Sequence, residues 1–188
     1  INLAPGDYRL AKHLLPHQIE TWRDQVDEIL LIVDLHRSAG RFGANWEEGK
    51  TSLFQTIEQL DFPVRVVEVD YSREAKARCA EHWTGGRSIS EKDFRGGPSY
   101  AYFFGLTEAR GRWILHSDAD LFFGGRSKNW LAEAMEIYEL NDDILFMGPH
   151  SGKPTTDGRL LTLPHQSDAR AKNGCQFDFM STRLFLID

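Results

Sequence analysis

Apolar positions along this chain alternate between two spacings. Leu10, Leu14, Leu15, Ile19 and Trp22 recur at helical intervals and predict a first helix. Pro16 falls inside that pattern and predicts a kink, or a fresh helix start with proline in its first turn. The unbroken run Ile29-Leu30-Leu31-Ile32-Val33 then reads as a buried strand ending at Asp34. Leu53, Phe54, Ile57 and Leu60 return to helical spacing, stopped by Asp61-Phe62-Pro63. Residues 64–69 form a β-branched run that ends at Asp70 and precedes a short helix over 73–82.

The Gly- and charge-rich stretch 84–98 predicts a loop long enough to suggest function. A helix over 99–109 leads through Arg110-Gly111 into the apolar strand from Trp113 that halts at Asp118. A helix over 128–140 turns Trp130, Leu131, Ala134, Met135 and Tyr138 inward. Beyond it, 144–147, 160–163 and 176–180 read as short strands between loops rich in Gly, Pro and His. Strand and helix alternate up to residue 140, which predicts an α/β fold with a mostly parallel central sheet, flanking helices and a mixed C-terminal part.

With Ile1-Asn2-Leu3 counted as the end of a first strand, three further strands close on Asp34, Asp70 and Asp118. In a parallel sheet with right-handed crossovers these carboxyl ends share one edge, where ligands of open α/β sheets bind. The expected strand order is 3-2-1-4, which sets Asp118 beside Pro5-Gly6-Asp7. Asp118 and Asp120, separated only by Ala119, are the sharpest feature of the chain. Two like charges at a buried strand end are costly without a counter-ion, which points to a divalent metal. All-oxygen ligands favour Mg²⁺ or Mn²⁺. His116, His150 and His165 leave a zinc site open as a competing idea, although His116 fits a core or edge histidine better. Asp34 and Asp70 have an equally plain alternative as turn formers or helix caps.

Composition narrows the field. The 188 residues are 41% hydrophobic, enough for one domain over 1–188 with its own core. A net charge of −6 argues against a nucleic-acid partner. No run approaches a membrane span, and the two cysteines form no CxxC pair, so a reducing, cytoplasmic setting is expected. Both ends read as cut inside apolar runs, so further residues are expected on each side, chiefly after Asp188.

The stretch from Gly97 through Phe123 resembles the nucleotide-sugar-dependent glycosyltransferases of the GT-A fold, family 2-like. Those proteins carry a Gly-rich turn, a helix with a Gly-Leu pair followed by Ala-x-Gly, and an apolar strand closing on Asp-x-Asp, the DXD motif. Here these are Gly96-Gly97-Pro98, Gly105-Leu106, Ala109-Arg110-Gly111-Arg112 and the strand into Asp118-Ala119-Asp120. Ala4-Pro5-Gly6-Asp7-Tyr8 stands where the family has its nucleotide loop, and Ile32-Val33-Asp34 where it has a base-binding acid.

The resemblance implies a Rossmann-like transferase that moves a sugar from a nucleotide-sugar donor to an unknown acceptor. Asp118 and Asp120 would hold manganese or magnesium, and Ala4, Pro5, Gly6, Asp34, Asp70, Gly97 and Asp118 would line the donor site. Asp178 is the visible candidate for the base, unless that residue lies after Asp188.

One departure stands out. The family often has Ala-Arg-Asn before Gly-Leu, where this chain has Ala101-Tyr102-Phe103-Phe104. Arg73, Arg95 and Arg110 are the candidates to replace that cation, and residues 100–106 otherwise read as an aromatic core face. Two rival readings are a non-catalytic nucleotide-sugar-binding domain and a phosphohydrolase of the haloacid-dehalogenase type with a nucleophilic first Asp. The phosphohydrolase motif would open its domain rather than follow three βα units. A dinucleotide oxidoreductase is weaker, for the first strand feeds no G-x-G-x-x-G turn.

Overall fold

The computed structural model describes residues 1–37, 43, 45–124, 130–149, 166–170, 174–177 and 181–188. Its mixed α/β architecture falls into two compact units, Ile1–Gly111 with His116–Gly125 and Arg112–Leu115 with Arg126–Asp188.

The first unit is built on a parallel three-stranded sheet of Asn2–Leu3 (β1), Leu30–Val33 (β2) and Arg65–Glu68 (β3), in that order. The register pairs Asn2 with Ile32 and Ile32 in turn with Val67. On the far side of β1, Asn2 makes an isolated parallel bridge to Asp118. The first three strands thus follow the expected 3-2-1 order, whereas the fourth expected strand is not part of this sheet and meets it only through the bridge at Asp118.

Alternation along β2 decides which helices cover which face. Leu31 and Val33 point to one side and Ile32 to the other, as a period of two requires. Leu31, Val33 and Leu3 pack with Ala11, Leu15 and Ile19 of Tyr8–Trp22 (α1) and with Leu53 of Trp46–Glu58 (α2). Ile32 packs on the opposite face with Cys79 of Arg73–Thr84 (α3) and with Tyr100 and Phe104 of Tyr100–Glu108 (α4). β3 alternates half-buried with exposed residues, and Val66 is exposed.

Two glycines set how closely helices approach this sheet edge. A Cβ at Gly49 of α2 would lie 2.2 Å from the Pro5 carbonyl oxygen. One at Gly105 of α4 would lie 3.0 Å from Ile32 Cγ1 and 3.2 Å from Asn2 Oδ1. A larger residue at Gly49 would push α2 away from the backbone of the turn, whereas one at Gly105 would crowd the Ile32 and Asn2 side chains.

Pro16 does not start a fresh helix, since α1 runs on through it. Both Pro16 and Lys12, whose carbonyl loses its i+4 donor, lie on the exposed face where water can replace the bond. The loop at 84–98 is found as expected, closed by a bridge between Lys92 and Pro98.

Ile114–Ser117 (β4) contributes Ile114 and Leu115 to the second unit and His116 and Ser117 to the first. It pairs with Leu184–Ile187 (β7). The second unit also contains Trp130–Leu140 (α5) and the antiparallel pair Gln166–Asp168 (β5) and Gly174–Gln176 (β6). Buried Tyr138 of α5 donates to the Leu186 carbonyl at 2.7 Å. The predicted strand at 144–147 is absent; only Met147 pairs, by an isolated antiparallel bridge to Leu186. Half-buried or exposed residues there need no ladder, because water can satisfy the backbone. The strand predicted over 176–180 ends at Gln176, where the described residues begin to run out, and 160–163, His150 and His165 lie outside them. Among the described residues no helix is long and apolar enough to cross a membrane.

Candidate functional site

The carboxyl edge of the parallel sheet brings together Asp7, Asp34, Asp118 and Asp120. After β1 the chain turns at once into a short 3₁₀ helix, Pro5–Asp7, whose first turn is pinned by the Ala4 N–H donating to Asp7 Oδ2 at 2.8 Å. Asp7 is half-buried, and its carboxyl is pushed up to about 6. Burial is the main cause, followed among the raising effects by the negative charges of Asp120, Asp118 and Asp34. The Ala4 hydrogen bond opposes the rise without cancelling it. Burial thus raises this acid most, and the three neighbouring carboxylates add to the rise.

Asp118 is held from three sides. Its Oδ1 accepts from the Tyr102 hydroxyl at 3.0 Å and faces His116 Nε2 at 3.4 Å. His116 is buried edge-on against Tyr102, and its pKa is lowered chiefly by that burial. It occupies the same face as Asp118 but deeper, as its position two residues upstream predicts. From α1, fully buried Gln18 donates to the carbonyl oxygens of Asp118 and Leu121, both at 3.0 Å, and accepts from the Ser117 hydroxyl at 2.9 Å. His17 beside it binds the Phe123 backbone and stacks on Phe122 with ring centroids 4.5 Å apart. Asp120, on the turn so fixed, is exposed.

Asp34 is placed differently. It is only 2% exposed. Oδ1 accepts from the His36 N–H at 2.9 Å and from the Tyr71 hydroxyl at 3.0 Å, while Oδ2 meets Lys92 Nζ at 2.5 Å. The turn-forming alternative is thus realised through His36, and a cation from the loop at 84–98 covers the rest of the carboxylate. Burial beside Asp34 raises the Tyr71 pKa and keeps its hydroxyl a donor. Glu91, next to Lys92, accepts from Lys76 at 2.6 Å and lies 3.3 Å from His36 Nδ1. Those contacts tie the loop to α3 and to the end of β2.

The remaining predicted residues have structural work. Asp70 is exposed and accepts from both the N–H and the hydroxyl of Ser72, which itself caps α3 through the Ala75 N–H. Gly97 donates to Asp93 Oδ1 at 2.7 Å, in a turn where a Cβ would meet that carboxylate at 2.9 Å. Pro5 is buried against α2, with Ala4 half-buried and Gly6 exposed beside it. Asp178 lies outside the described residues.

Sequence reading missed Lys92, Tyr71, Gln18 and Tyr102 as site residues. The first three act over long separations, for which linear spacing offers no signal. Tyr102 did carry one, since it stands at the position of the expected arginine in Ala-Arg-Asn. Tyr100 and Phe104 are core, but the Tyr102 hydroxyl reaches the acidic pair. Among the arginines considered as replacements, Arg110 lines a cleft at the opposite, amino end of the strands, and Arg95 lies over the exposed ring of Phe94.

Among the described residues no group of three or more His, Cys, Asp or Glu side chains could hold a metal. The Asp118/Asp120 pair fits the alternative, a hard cation that takes one or two protein carboxylates and completes its shell with water and phosphate oxygens. Such a cation would offset the smaller, coulombic part of the Asp7 rise, which Asp120, Asp118 and Asp34 supply. No protein-family model, curated protein or solved structure matches this chain. Function therefore has to be read from the chemistry of this edge.

Proposed function

We propose that this chain is a metal-dependent glycosyltransferase domain of GT-A type, transferring a sugar from a nucleotide-sugar donor to an acceptor in a reducing compartment. The observation that carries the reading is the bridge of Asp118 to Asn2, which sets the acidic pair beside the Pro5–Asp7 turn at the carboxyl edge of a parallel sheet. Asp118 and Asp120 would hold Mn²⁺ or Mg²⁺. When bound, that ion supplies charge neutralisation to a departing nucleoside diphosphate. The chain's own part is orientation: Tyr102 and His116 aim the Asp118 carboxylate, and Gln18 and His17 hold the backbone of the turn that displays Asp120. Free Cys79 and Cys175 agree with a reducing setting.

A thermal-shift screen with UDP-, GDP- and dTDP-sugars, with and without Mn²⁺, tests the reading. One donor class should stabilise the wild type in the presence of metal. The gain should shrink in Asp118→Ala and in Asp120→Ala. Stabilisation that is equal in wild type and both variants would refute metal-bridged donor binding.

A further inference from the structure

At the amino end of the strands, opposite the acidic edge, lies a cleft of about 320 Å³. That volume falls at the small end of ligand pockets. Its apolar floor is Val26, Phe62 and Val64, half-buried side chains that pack against the core behind them. One acid and one arginine of the cleft satisfy each other, since Arg65 bonds Glu28 at 2.6 and 3.2 Å. A second acid and a second arginine, Asp27 and Arg110, line the same cleft and are exposed. The Arg110 N–H reaches Glu28 Oε2 at 3.4 Å, which sets its backbone beside the pair, and its guanidinium adds a weak, longer-range charge to Glu28. Among the described residues, neither the Asp27 carboxylate nor the Arg110 guanidinium makes a hydrogen bond or an ion pair, and the two do not pair with each other. The cleft therefore presents one cation and one anion above an apolar floor.

We propose that this cleft binds a small zwitterion, an α-amino acid with a branched or aromatic side chain. Arg110 takes the carboxylate, which the planar fork of a guanidinium suits. Asp27 takes the ammonium. The side chain of the ligand leaves water to rest on Val26, Phe62 and Val64. Glu28 and Arg65 already hold each other and compete for neither charge. A ligand with a single charge leaves Asp27 or Arg110 unused, and one without an apolar group leaves the floor wet. The cleft stands at the other end of the strands from Asp118 and needs no part of the glycosyltransferase reading.

The test is an NMR titration of the isotope-labelled chain with L-phenylalanine, 3-phenylpropionate, phenethylamine and glycine. L-Phenylalanine should shift the amides around Val64 and Arg110. It should bind more tightly than either singly charged analogue by on the order of fivefold, the scale of one exposed ion pair. Glycine keeps both charges but lacks the apolar group, and should bind on the order of tenfold more weakly than L-phenylalanine. Arg110→Gln should lower L-phenylalanine to the affinity of phenethylamine and leave phenethylamine unchanged. Asp27→Asn should lower it to the affinity of 3-phenylpropionate and leave that analogue unchanged. Both residues are exposed, so each variant should melt with the wild type. Should either fail to fold, the four probes against wild type carry the test by themselves. Amides at the cleft that do not move at millimolar L-phenylalanine would overturn the proposal. So would singly charged analogues or glycine binding as well as L-phenylalanine, or a preference that survives in both variants.

Discussion

The two ends of the parallel sheet treat charge in opposite ways. At the amino end, Arg65 grips Glu28 with two hydrogen bonds, at 2.6 and 3.2 Å, and donates to the Glu108 carbonyl at 2.6 Å. Glu28 is held below the usual carboxylate range, first by the Arg65 hydrogen bond. The cleft there, about 320 Å³, is lined by Asp27 and Glu28 but also by Arg65 and Arg110, so its charges balance. At the carboxyl end, Asp7, Asp118 and Asp120 converge beside Asp34, whose charge Lys92 pairs, and Asp7 is pushed up to about 6, first by burial and then by these acidic neighbours. Paired charge stabilises a fold by modest amounts, whereas accumulated like charge destabilises it. The end that tolerates this cost is the one where binding a cation would return it.

The largest effect expected is steric. Gly49→Ala places a methyl group 2.2 Å from the Pro5 carbonyl, and α2 must move away from the turn that holds Asp7. A loss of about 3 kcal/mol in denaturant unfolding is expected. Retention of wild-type stability would mean that the turn is not braced by α2.

Next comes Asp118→Asn, which keeps the shape and removes the charge. On the proposed glycosyltransferase reading, Mn²⁺-dependent transfer should fall on the order of a hundredfold or more, while the melting temperature without ligand holds or rises. A large fall in apo stability would instead make Asp118 a structural residue like Glu28.

Asp7→Asn sharpens the comparison through pH. The raised carboxyl of Asp7 binds its proton more tightly in the folded than in the unfolded state. Its relative contribution is most favourable below about 4 and is lost as pH rises through about 6. The neutral amide should therefore be more stable than wild type by about 1–2 kcal/mol at pH 7.5, with the gap closing by pH 4. Urea unfolding at the two pH values measures this, and an unchanged gap would show that the Asp7 carboxyl is not raised in the folded state.

Glu28 has the opposite sign. Its lowered pKa contributes stability above the unfolded value, and that contribution is lost as pH falls through the folded one. Glu28→Gln should cost about 1 kcal/mol at pH 7, since the pair is partly solvated. It should flatten the acid limb of the stability curve and leave Mn²⁺-dependent ligand binding untouched.

Much of the first unit is legible in the linear pattern. Ile29-Leu30-Leu31-Ile32-Val33 is too short for a buried helix, so β2 follows, and a strand that closes on an acid before each crossover puts those acids on one edge. The order of the first three strands could be inferred because parallel crossovers have one hand. Residues 144–147 were misread because an apolar run carries no record of whether a partner strand stands beside it.

Within the site the division is similar. Asp118-Ala119-Asp120 stands out in one dimension, because two charges meet an apolar run. Asp34 and Asp70 looked alike in sequence, each an acid after a strand. Only tertiary packing separated them: one is buried under Lys92 from 58 residues away, and the other is exposed beside Ser72. Periodicity along a chain records which face of an element meets the core, since that choice repeats every few residues. The partner of a single charge is chosen once, in three dimensions, by whichever loop the fold lays across it.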